Sequence, residues 1–447
     1  MSIATARRVK PGSLQRRPLP WHVGDVIQKL RQAQGWTAES MPNVVRQIAF
    51  TTAFALSIGL SVGAAQTNNT QWVTAWSTSQ QGQGNTSLSD ATIRLMARVT
   101  ASGEAIRIRL DNSYGTRPLV IAAATVGEPM RGAVLSPGST RAISFDGRIQ
   151  VTVPVGGSIQ SDPIQMPVLS QQDLAVSLHL PEADVRPSQH NGARVTSYFT
   201  TDGAGNHTND ETGDAFIGTT TSMFWLKSID VLSPTSTGTI VAFGDSITDG
   251  SCSTNDGHDR WEDWVAVRLH LAAMDGAHKA VINEGIGGNT VTGTVNPPPS
   301  SAPGTERLDR DVLSHSGVTH VVLFMGTNDI RRDSTAAQVI EGTEEIIDRA
   351  HAAGLKIIGV TIIPRHNRAP TENNSGWTPA KTITRNEVNA WIRHDAPFDG
   401  VIDFDRTVQD PENPNRIHAP FNCDGIHPNP RGYYEMGLTV GLELFVD

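Results

Sequence analysis

The sequence predicts a chain of two folded parts, a β-sandwich or jelly roll followed by an α/β part with a doubly wound parallel sheet. Two observations predict this arrangement. In the first part, apolar residues recur at every second position, which is typical of half-buried antiparallel strands. In the second part, short runs that are apolar throughout alternate with helical periods, as expected when strands are buried on both faces and helices connect them.

The predicted β-rich domain covers residues 66–235. Ile106, Ile108 and Leu110 alternate with charged residues, and other segments repeat the same period of two. Turn signals such as Asp146-Gly147 separate several of these segments. Many short strands without helical stretches indicate a sandwich or a jelly roll.

The predicted α/β domain covers residues 236–447. Its five apolar runs are Thr239–Phe243, Val281–Asn283, His320–Met325, Lys356–Ile363 and Val401–Phe404. Between the runs, residues such as Val339, Ile346 and Ala350 share one helical face, and Gly354 is placed to end that helix. Strands that alternate with helices predict a doubly wound sheet.

The N-terminal region has the composition of an export signal. In residues 41–65 a single arginine precedes a short apolar run that ends in small residues, the layout of a signal peptide. A membrane anchor is the alternative, but the apolar run is shorter than the ~20 residues of a spanning helix. Residues 1–40 then form a leader that is disordered or follows a misassigned start. We therefore expect a secreted or periplasmic protein without a stable membrane anchor.

The charge of the chain argues against a nucleic-acid partner. There are 45 acidic and 36 basic side chains, which give a net charge of −9 at pH 7. An acidic body repels the phosphate backbone of a nucleic acid.

Three polar blocks follow three successive strands of the predicted sheet. The first strand runs into Gly244-Asp245-Ser246, which places a serine just past a buried strand; alone, such a serine is equally a helix cap. The second ends in a glycine-rich loop that contains Gly288, whose backbone N–H groups can face a developing oxyanion. The third is followed by Asn328, which either caps a helix or donates its side-chain amide to the same oxyanion. Because ligands bind at the carboxyl edge of such sheets, we expect the three blocks to lie together.

A fourth block contains Asp424 and His427, three residues apart near the C-terminus. On one turn these side chains can share a hydrogen bond that orients the imidazole. A metal-binding pair is the alternative, but no further histidine or cysteine ligand lies at suitable spacing. The sequence has no H-E-x-x-H motif, no P-loop and no G-x-S-x-G elbow.

Taken together, the four blocks resemble those of the SGNH (GDSL-type) hydrolases, which are named for Ser, Gly, Asn and His. This sequence supplies Ser246, Gly288, Asn328 and His427, and Asp424 matches the triad aspartate of the family. The resemblance covers residues 237–447 closely, and the β-rich part is similar to the N-terminal domain of a bacterial subgroup with the same "VAFGDSITDG" opening.

The resemblance implies a flavodoxin-like doubly wound sheet and a serine esterase that needs no cofactor and no metal. It implies that Ser246 is the nucleophile, His427 the general base and Asp424 the residue behind the imidazole. It also implies an oxyanion hole made by the N–H groups of Ser246 and Gly288 and the side-chain amide of Asn328.

Cysteines occur only at positions 252 and 423, one shortly after the nucleophile block and one directly before Asp424. Since both loops are expected at the same edge of the sheet, we hypothesise a Cys252–Cys423 disulfide, with two buried free thiols as the alternative. Four further residues stand in or beside predicted loops, where they could line the site or simply pack: Arg260, Trp261, His366 and Trp377.

The substrate expected from the sequence is a short-chain, acetyl-type ester, carried on carbohydrate such as an acylated polysaccharide. The export signal, the acidic body and the attached β-rich domain favour this reading. The first alternative is a lipase or arylesterase acting on small hydrophobic esters. A second alternative is a carbohydrate-binding protein with a non-catalytic SGNH domain, and an acyltransferase using the same acyl-enzyme differs only in its acceptor.

Overall fold

The structure is a computed structural model that describes residues 70–272, 278–296, 300–366 and 376–446. The predicted leader (1–40) and signal peptide (41–65) lie outside these described residues. Among the helices of the described residues, none is both long and apolar enough to cross a membrane.

Antiparallel strands make up the β-rich part (residues 70–235). The strands are β1 (Gln71–Ser77), β2 (Gly82–Gln83), β3 (Ala91–Arg98), β4 (Gly103–Asp111), β5 (Leu119–Ile121), β6 (Ala123–Gly127), β7 (Pro129–Arg131), β8 (Val134–Leu135), β9 (Arg141–Ala142), β10 (Val151–Val153), β11 (Ser158–Gln160), β12 (Ile164–Val168), β13 (Asp173–Leu180), β14 (Ser188–His190), β15 (Ser197–Phe199), β16 (Gly218–Thr220), β17 (Met223–Phe224) and β18 (Leu226–Ser233). The two larger sheets have the orders β1-β18-β4-β11, with β12 also paired to β4, and β16-β15-β3-β13-β6-β9.

These two sheets share one apolar core. Ile93 and Leu178 come from one sheet and Ile106 and Ile229 from the other, and all belong to the same buried cluster. Two sheets that bury their apolar faces against each other form a sandwich, so the predicted β-rich architecture is confirmed.

One detail of this part differs from the prediction of half-buried strands. Strand β3 is buried on both faces, because the segment around Asp210 and Phe216 covers its outer side. Arg94 projects to that side, donates to the carbonyl oxygen of Asp210 at 2.6 Å and lies over the Phe216 ring. The alternating pattern reports the side-chain period of a strand, but only the tertiary structure determines what covers its polar face.

The α/β part (residues 236–446) consists of parallel strands and connecting helices. The strands are β19 (Ser236–Gly244), β20 (His278–Gly285), β21 (Val318–Phe324), β22 (Lys356–Val360) and β23 (Gly400–Ile402). The helices are α1 (Ser246–Asp249), α2 (Trp261–Ala272), α3 (Gly304–Leu308), α4 (Thr327–Arg331), α5 (Ala336–Ala352), α6 (Pro379–His394), α7 (Phe404–Val408) and α8 (Pro430–Thr439), with a π-helical turn at Asp309–Leu313 and 3-10 turns at Ala419–Phe421 and Leu442–Phe445.

The sheet order is β20-β19-β21-β22-β23, and neighbouring strands pair in parallel. This order is the 2-1-3-4-5 arrangement of flavodoxin-like sheets and confirms the predicted doubly wound fold. The chain changes direction along the sheet at β19, so the crevice for a ligand opens beyond the carboxyl ends of β19 and β21. Ser246 follows β19 and Asn328 follows β21, so the fold itself places both at this crevice.

The β-rich part covers the edge strand β20 of the parallel sheet. Thr100 Oγ1 donates to the carbonyl oxygen of Val281 at 2.9 Å and accepts from its N–H at 3.0 Å. Thr239 Oγ1 donates to the carbonyl oxygen of Thr74 at 3.0 Å. The Thr100 contacts satisfy backbone groups of Val281 on the edge strand, and together the contacts hold the β-rich part against β19 and β20.

Candidate active site

Ser246 is the first residue of α1, directly beyond strand β19. Asp245 caps this helix, since its side chain accepts a hydrogen bond from Ile247 N at 2.9 Å. Burial raises the pKa of Asp245 to about 6. A Cβ atom at Gly244 would lie 2.1 Å from Thr248 Oγ1, so the turn before the serine requires glycine. The local sequence thus holds Ser246 at the top of the sheet.

The side chains of Ser246, His427 and Asp424 form one hydrogen-bonded chain. His427 Nε2 lies 2.9 Å from Ser246 Oγ, and His427 Nδ1 lies 2.8 Å from Asp424 Oδ2. The other carboxylate oxygen of Asp424 accepts from the backbone N–H groups of Ile426 and His427 at 3.0 and 2.8 Å. The structure therefore brings together the three side chains that the sequence singled out for the triad.

Asp424 is ionised in this arrangement. Partial burial alone would raise the pKa of its carboxyl group, but the hydrogen bonds and the charge of His427 outweigh that effect. The resulting pKa of Asp424 lies well below its usual range. A carboxylate in this position stabilises the imidazolium form of His427.

Gly288 and Asn328 lie on adjacent loops at the same edge of the sheet. Asn289 N donates to the carbonyl oxygen of Ile286 at 3.2 Å, and Gly288 in this turn has φ +73°, a value that favours glycine. A Cβ atom on Gly288 would meet open space. Asn328 Nδ2 donates to the carbonyl oxygen of Asn289 at 3.0 Å, which orients the amide and leaves its second hydrogen for another acceptor. Arg332 Nη1 donates to the carbonyl oxygen of Gly288 at 3.1 Å.

Asp329 joins these two loops and was not recognised from the sequence. Its buried carboxylate accepts from Val291 N at 3.0 Å and from Thr292 N at 3.1 Å, so the residue next to Asn328 holds the end of the glycine loop. Burial raises the pKa of Asp329 to about 7. The sequence feature that could have indicated this role is the acidic residue directly after Asn328, in a block that follows a strand buried on both faces.

A disulfide joins Cys252 and Cys423, which are 171 residues apart in the sequence. It links the loop after α1 to the loop that carries Asp424 and His427, as the sequence hypothesis placed it. Ligand atoms of Cys252, Asp424 and His427 all lie within 4.8 Å of one another. This set does not suit a metal ion, because a disulfide sulfur is not a thiolate and the other two side chains already bind each other.

Two of the four further candidates serve packing and ion pairing. Trp261 is 1% exposed, and its ring packs edge-on against Phe404. Arg260 forms an ion pair with Asp263 at 2.9 Å, and a Cβ atom on Gly250 would touch its aliphatic stem. Neither contact involves the Ser246–His427 pair.

The other two candidates lie nearer the site. His366 N donates to the carbonyl oxygen of Gly425, between Asp424 and His427, at 2.8 Å. The Arg365 guanidinium lies 5.3 Å from the centre of the Trp377 ring. Burial lowers the pKa of Arg365 to about 10. The backbone of His366 therefore adjoins the loop that carries the imidazole, and Arg365 directly precedes His366 in the chain.

The α/β part of the chain is similar to a family of ester hydrolases. Residues 242–434 match the model of the GDSL-like Lipase/Acylhydrolase family. This part of the chain is therefore similar to GDSL-like lipases and acylhydrolases, and it follows a β-rich part, as the resemblance of the sequence implied.

Solved structures of the same kind are similar to this chain over less than half of its length. A carbohydrate acetylesterase family member from Sinorhizobium meliloti is 20% identical, with 46% of this chain and 95% of that chain covered and a TM-score of 0.36. An inhibitor-bound aryl esterase from M. smegmatis is 19% identical, with 45% of this chain and 95% of that chain covered and a TM-score of 0.36. A GDSL-like lipase from Bacteroides thetaiotaomicron is 18% identical, with 46% of this chain and 88% of that chain covered and a TM-score of 0.33. No curated protein matches the chain.

Proposed function

We propose that the chain is an exported serine esterase that hydrolyses short-chain, acetyl-type esters on carbohydrate through an acyl-serine intermediate. The observation that carries the proposal is the continuous chain Ser246 Oγ, His427, Asp424, with distances of 2.9 and 2.8 Å. Nucleophile, base and orienting carboxylate within hydrogen-bond reach are the signature of nucleophilic acyl transfer. The stretch 41–65, with its signal-peptide composition, supports export.

In the first step, Ser246 Oγ attacks the ester carbonyl carbon while its proton moves to His427 Nε2. Asp424 stabilises the imidazolium that results, because its carboxylate faces Nδ1. The tetrahedral intermediate then collapses, the bond to the alcohol oxygen breaks, and that oxygen takes the proton from Nε2. The alcohol leaves, and the acyl group remains as an ester of Ser246.

In the second step, water attacks the acyl carbon and gives a proton to His427 Nε2. Collapse of this second intermediate breaks the bond to Ser246 Oγ, which takes the proton back, and the carboxylic acid is released. Every proton and electron pair in these steps belongs to the substrate, to water or to the three side chains.

The negative oxygen of each intermediate would be held by the N–H groups of Ser246 and Gly288 and by the amide of Asn328. The glycine turn and the oriented Asn328 amide support this assignment, since both lie at the edge of the sheet where Ser246 emerges. Donors that are already oriented stabilise a developing charge without reorganising during the reaction.

Asn328→Ala is expected to lower kcat for p-nitrophenyl acetate by about 10²–10³-fold, because one oxyanion donor is lost. KM should change little, since the donor acts mainly on the intermediate. Steady-state kinetics measure both values. Asn413→Ala removes an exposed asparagine side chain whose Oδ1 accepts from Asn415 N at 3.2 Å, and it serves as the control; an equal loss in both variants would contradict a specific role for Asn328.

The polar surroundings of the site support a polar alcohol group in the substrate. Arg332 binds the carbonyl oxygen of Gly288, and the His366 backbone binds that of Gly425, so charged or polar residues adjoin both the glycine loop and the imidazole loop. An acidic, exported chain with a β-rich part also fits a carbohydrate ester better than a dispersed lipid.

Acyl-chain dependence tests the substrate class. We expect p-nitrophenyl acetate to be hydrolysed with a kcat/KM at least about tenfold higher than the octanoyl ester, and acetate to be released from acetylated xylan. A kcat/KM that rises with acyl length would support the lipase or arylesterase alternative instead. Retention of the chain on xylan without release of acetate would support the carbohydrate-binding alternative.

A further inference from the structure

Two buried basic side chains of the β-rich part, those of His190 and Lys227, contact carboxylates of the α/β part. His190 belongs to β14, and Lys227 belongs to β18. Their side chains are 3% and 2% exposed, and each faces a carboxylate of the α/β part. A buried charged group is costly unless it has a partner of opposite charge. Both contacts therefore restrict the positions of Asp249 and Asp311.

His190 connects the β-rich part to the helix that begins with Ser246. Its Nδ1 lies 2.8 Å from the carbonyl oxygen of Ser79, and its Nε2 lies 2.9 Å from Asp249 Oδ1. A carbonyl oxygen only accepts, so Nδ1 carries a proton, and Nε2 faces a second acceptor. Burial alone would lower the pKa of His190, but the charge and hydrogen bond of Asp249 outweigh it and raise that pKa. The result is a buried hydrogen-bonded contact between an imidazole of one part and a carboxylate of the other.

Asp249 is the last residue of α1, one helical turn after Ser246. A helix of this length has few internal hydrogen bonds of its own, so its orientation depends on its neighbours. Asp245 fixes one end through its cap, and His190 fixes the other end through Asp249. The position of Ser246 Oγ therefore depends on a side chain of the β-rich part.

Arg307 connects the strand ends that carry the other site residues. It donates to the carbonyl oxygen of Gly244 at 2.8 Å, to that of Glu284 at 2.9 Å and to Asn289 Oδ1 at 3.0 Å. These three acceptors lie just before Ser246, at the end of β20 and directly after Gly288. One buried guanidinium thus sets the spacing between the nucleophile turn and the glycine loop.

Lys227 completes the charge balance around Arg307. Its Nζ lies 2.8 Å from Asp311 Oδ1 and 3.9 Å from Glu284 Oε2, and Arg307 Nη1 lies 3.2 Å from Asp311 Oδ2. All of these side chains are almost fully buried. Asp311 also pairs with Arg310 at 2.8 Å, and Glu284 with His315 at 2.6 Å. Removal of Lys227 takes one positive charge out of this buried group and so changes the electrostatic balance around Arg307.

We propose that His190 and Lys227 are positioning residues for ester hydrolysis, through which the β-rich part holds α1 and the glycine loop in their reactive geometry. This inference rests on the proposed function, because it concerns the same Ser246 site. It assigns the β-rich part a role in the rate of the reaction, in addition to any role in binding a substrate.

The first test compares His190→Leu with His179→Leu in the full chain. His179 also faces an aspartate, Asp90 at 3.1 Å, but both of those residues lie within the β-rich part. We expect His190→Leu to lower kcat for p-nitrophenyl acetate by roughly 10- to 100-fold, as a small displacement of a reacting group does, with little change in KM. His179→Leu should keep wild-type kinetics.

Covalent inactivation by diethyl p-nitrophenyl phosphate separates positioning from stability. The rate of phosphorylation should fall in parallel with kcat in His190→Leu, while the final stoichiometry per folded chain stays that of the wild type. Asp249→Ala removes the same contact by deleting the carboxylate, and it should show the same loss even if His190→Leu fails to fold. Asp249→Asn should recover most of that loss, because its amide can donate to a neutral imidazole that still donates to Ser79.

Lys227→Met tests the second contact with the same readouts, and we expect a parallel loss of kcat and of phosphorylation rate. If the His190, Asp249 and Lys227 variants unfold at lower temperature but keep wild-type kcat and phosphorylation rates, the positioning role is overturned. A wild-type protein that neither hydrolyses esters nor reacts with the phosphate reagent would instead overturn the proposed function itself.

Discussion

Ser246→Ala is expected to lower kcat for p-nitrophenyl acetate by about 10⁴–10⁶-fold, because the atom that forms the acyl-enzyme is removed. His427 and the oxyanion donors would remain, so a small residual rate over uncatalysed hydrolysis should persist. Folding should change little, since Ser246 Oγ makes a partly buried hydrogen bond to His427 and its removal leaves only a small space.

The measurement is steady-state hydrolysis together with mass spectrometry after reaction with diethyl p-nitrophenyl phosphate. Ser251→Ala is the matched control on the same loop, where the backbone carbonyl, not the side chain, accepts a hydrogen bond from Tyr433 at 2.7 Å. The control should keep its rate and gain one phosphoryl adduct per chain. A Ser246→Ala variant with more than a tenth of wild-type activity, or with the same adduct, would refute the nucleophile assignment.

Asp424→Asn carries the second-largest expected effect, a loss of kcat of about 10³–10⁴-fold. The geometry determines how the new side chain must lie. Asp424 Oδ1 accepts from the N–H groups of Ile426 and His427, so the amide oxygen of asparagine takes this place. The amide nitrogen then faces His427 Nδ1 and donates to it. His427 is forced into the tautomer with its proton on Nε2, and it can no longer accept the proton of Ser246.

Asp410→Asn is the matched control, because Asp410 also lies beside a histidine in the same region, His418 at 3.7 Å. It should retain nearly the wild-type rate. Both kcat and the rate of inactivation by the phosphate reagent should fall in Asp424→Asn, since each depends on removal of the serine proton. If only KM changes, Asp424 contributes to substrate binding and does not orient His427.

Much of the fold was predictable because its signals are local. The apolar runs located the parallel strands, and the face of Val339, Ile346 and Ala350 with Gly354 beyond it located α5, which spans Ala336–Ala352. Both patterns follow from the side-chain periods of strands and helices, which tertiary contacts do not change. The strand order 2-1-3-4-5 was implied by the family resemblance, and it cannot be deduced from the periodicity of apolar residues.

The candidate site was predictable to the extent that its residues stand at strand ends. Ser246, Gly288 and Asn328 each follow a strand of a parallel sheet, and the carboxyl ends of those strands share one edge. Asp424 and His427 were visible as a pair on one turn. Trp261 shows the limit of this reasoning, because a tryptophan beside a predicted loop turned out to be 1% exposed in the core.

By itself, the sequence predicted a β-rich region followed by a doubly wound α/β region, and it singled out Ser246, His427 and Asp424, whose side chains the structure brings together. Only the tertiary structure decided which charges support them. His190 and Asp249 are 59 residues apart, and Lys227 and Asp311 are 84 residues apart. Each of these residues looks like an ordinary surface charge in its local sequence. Their partners lie in α1 and in the π-helical turn of the α/β part, and burial between the two parts makes these contacts hold the site.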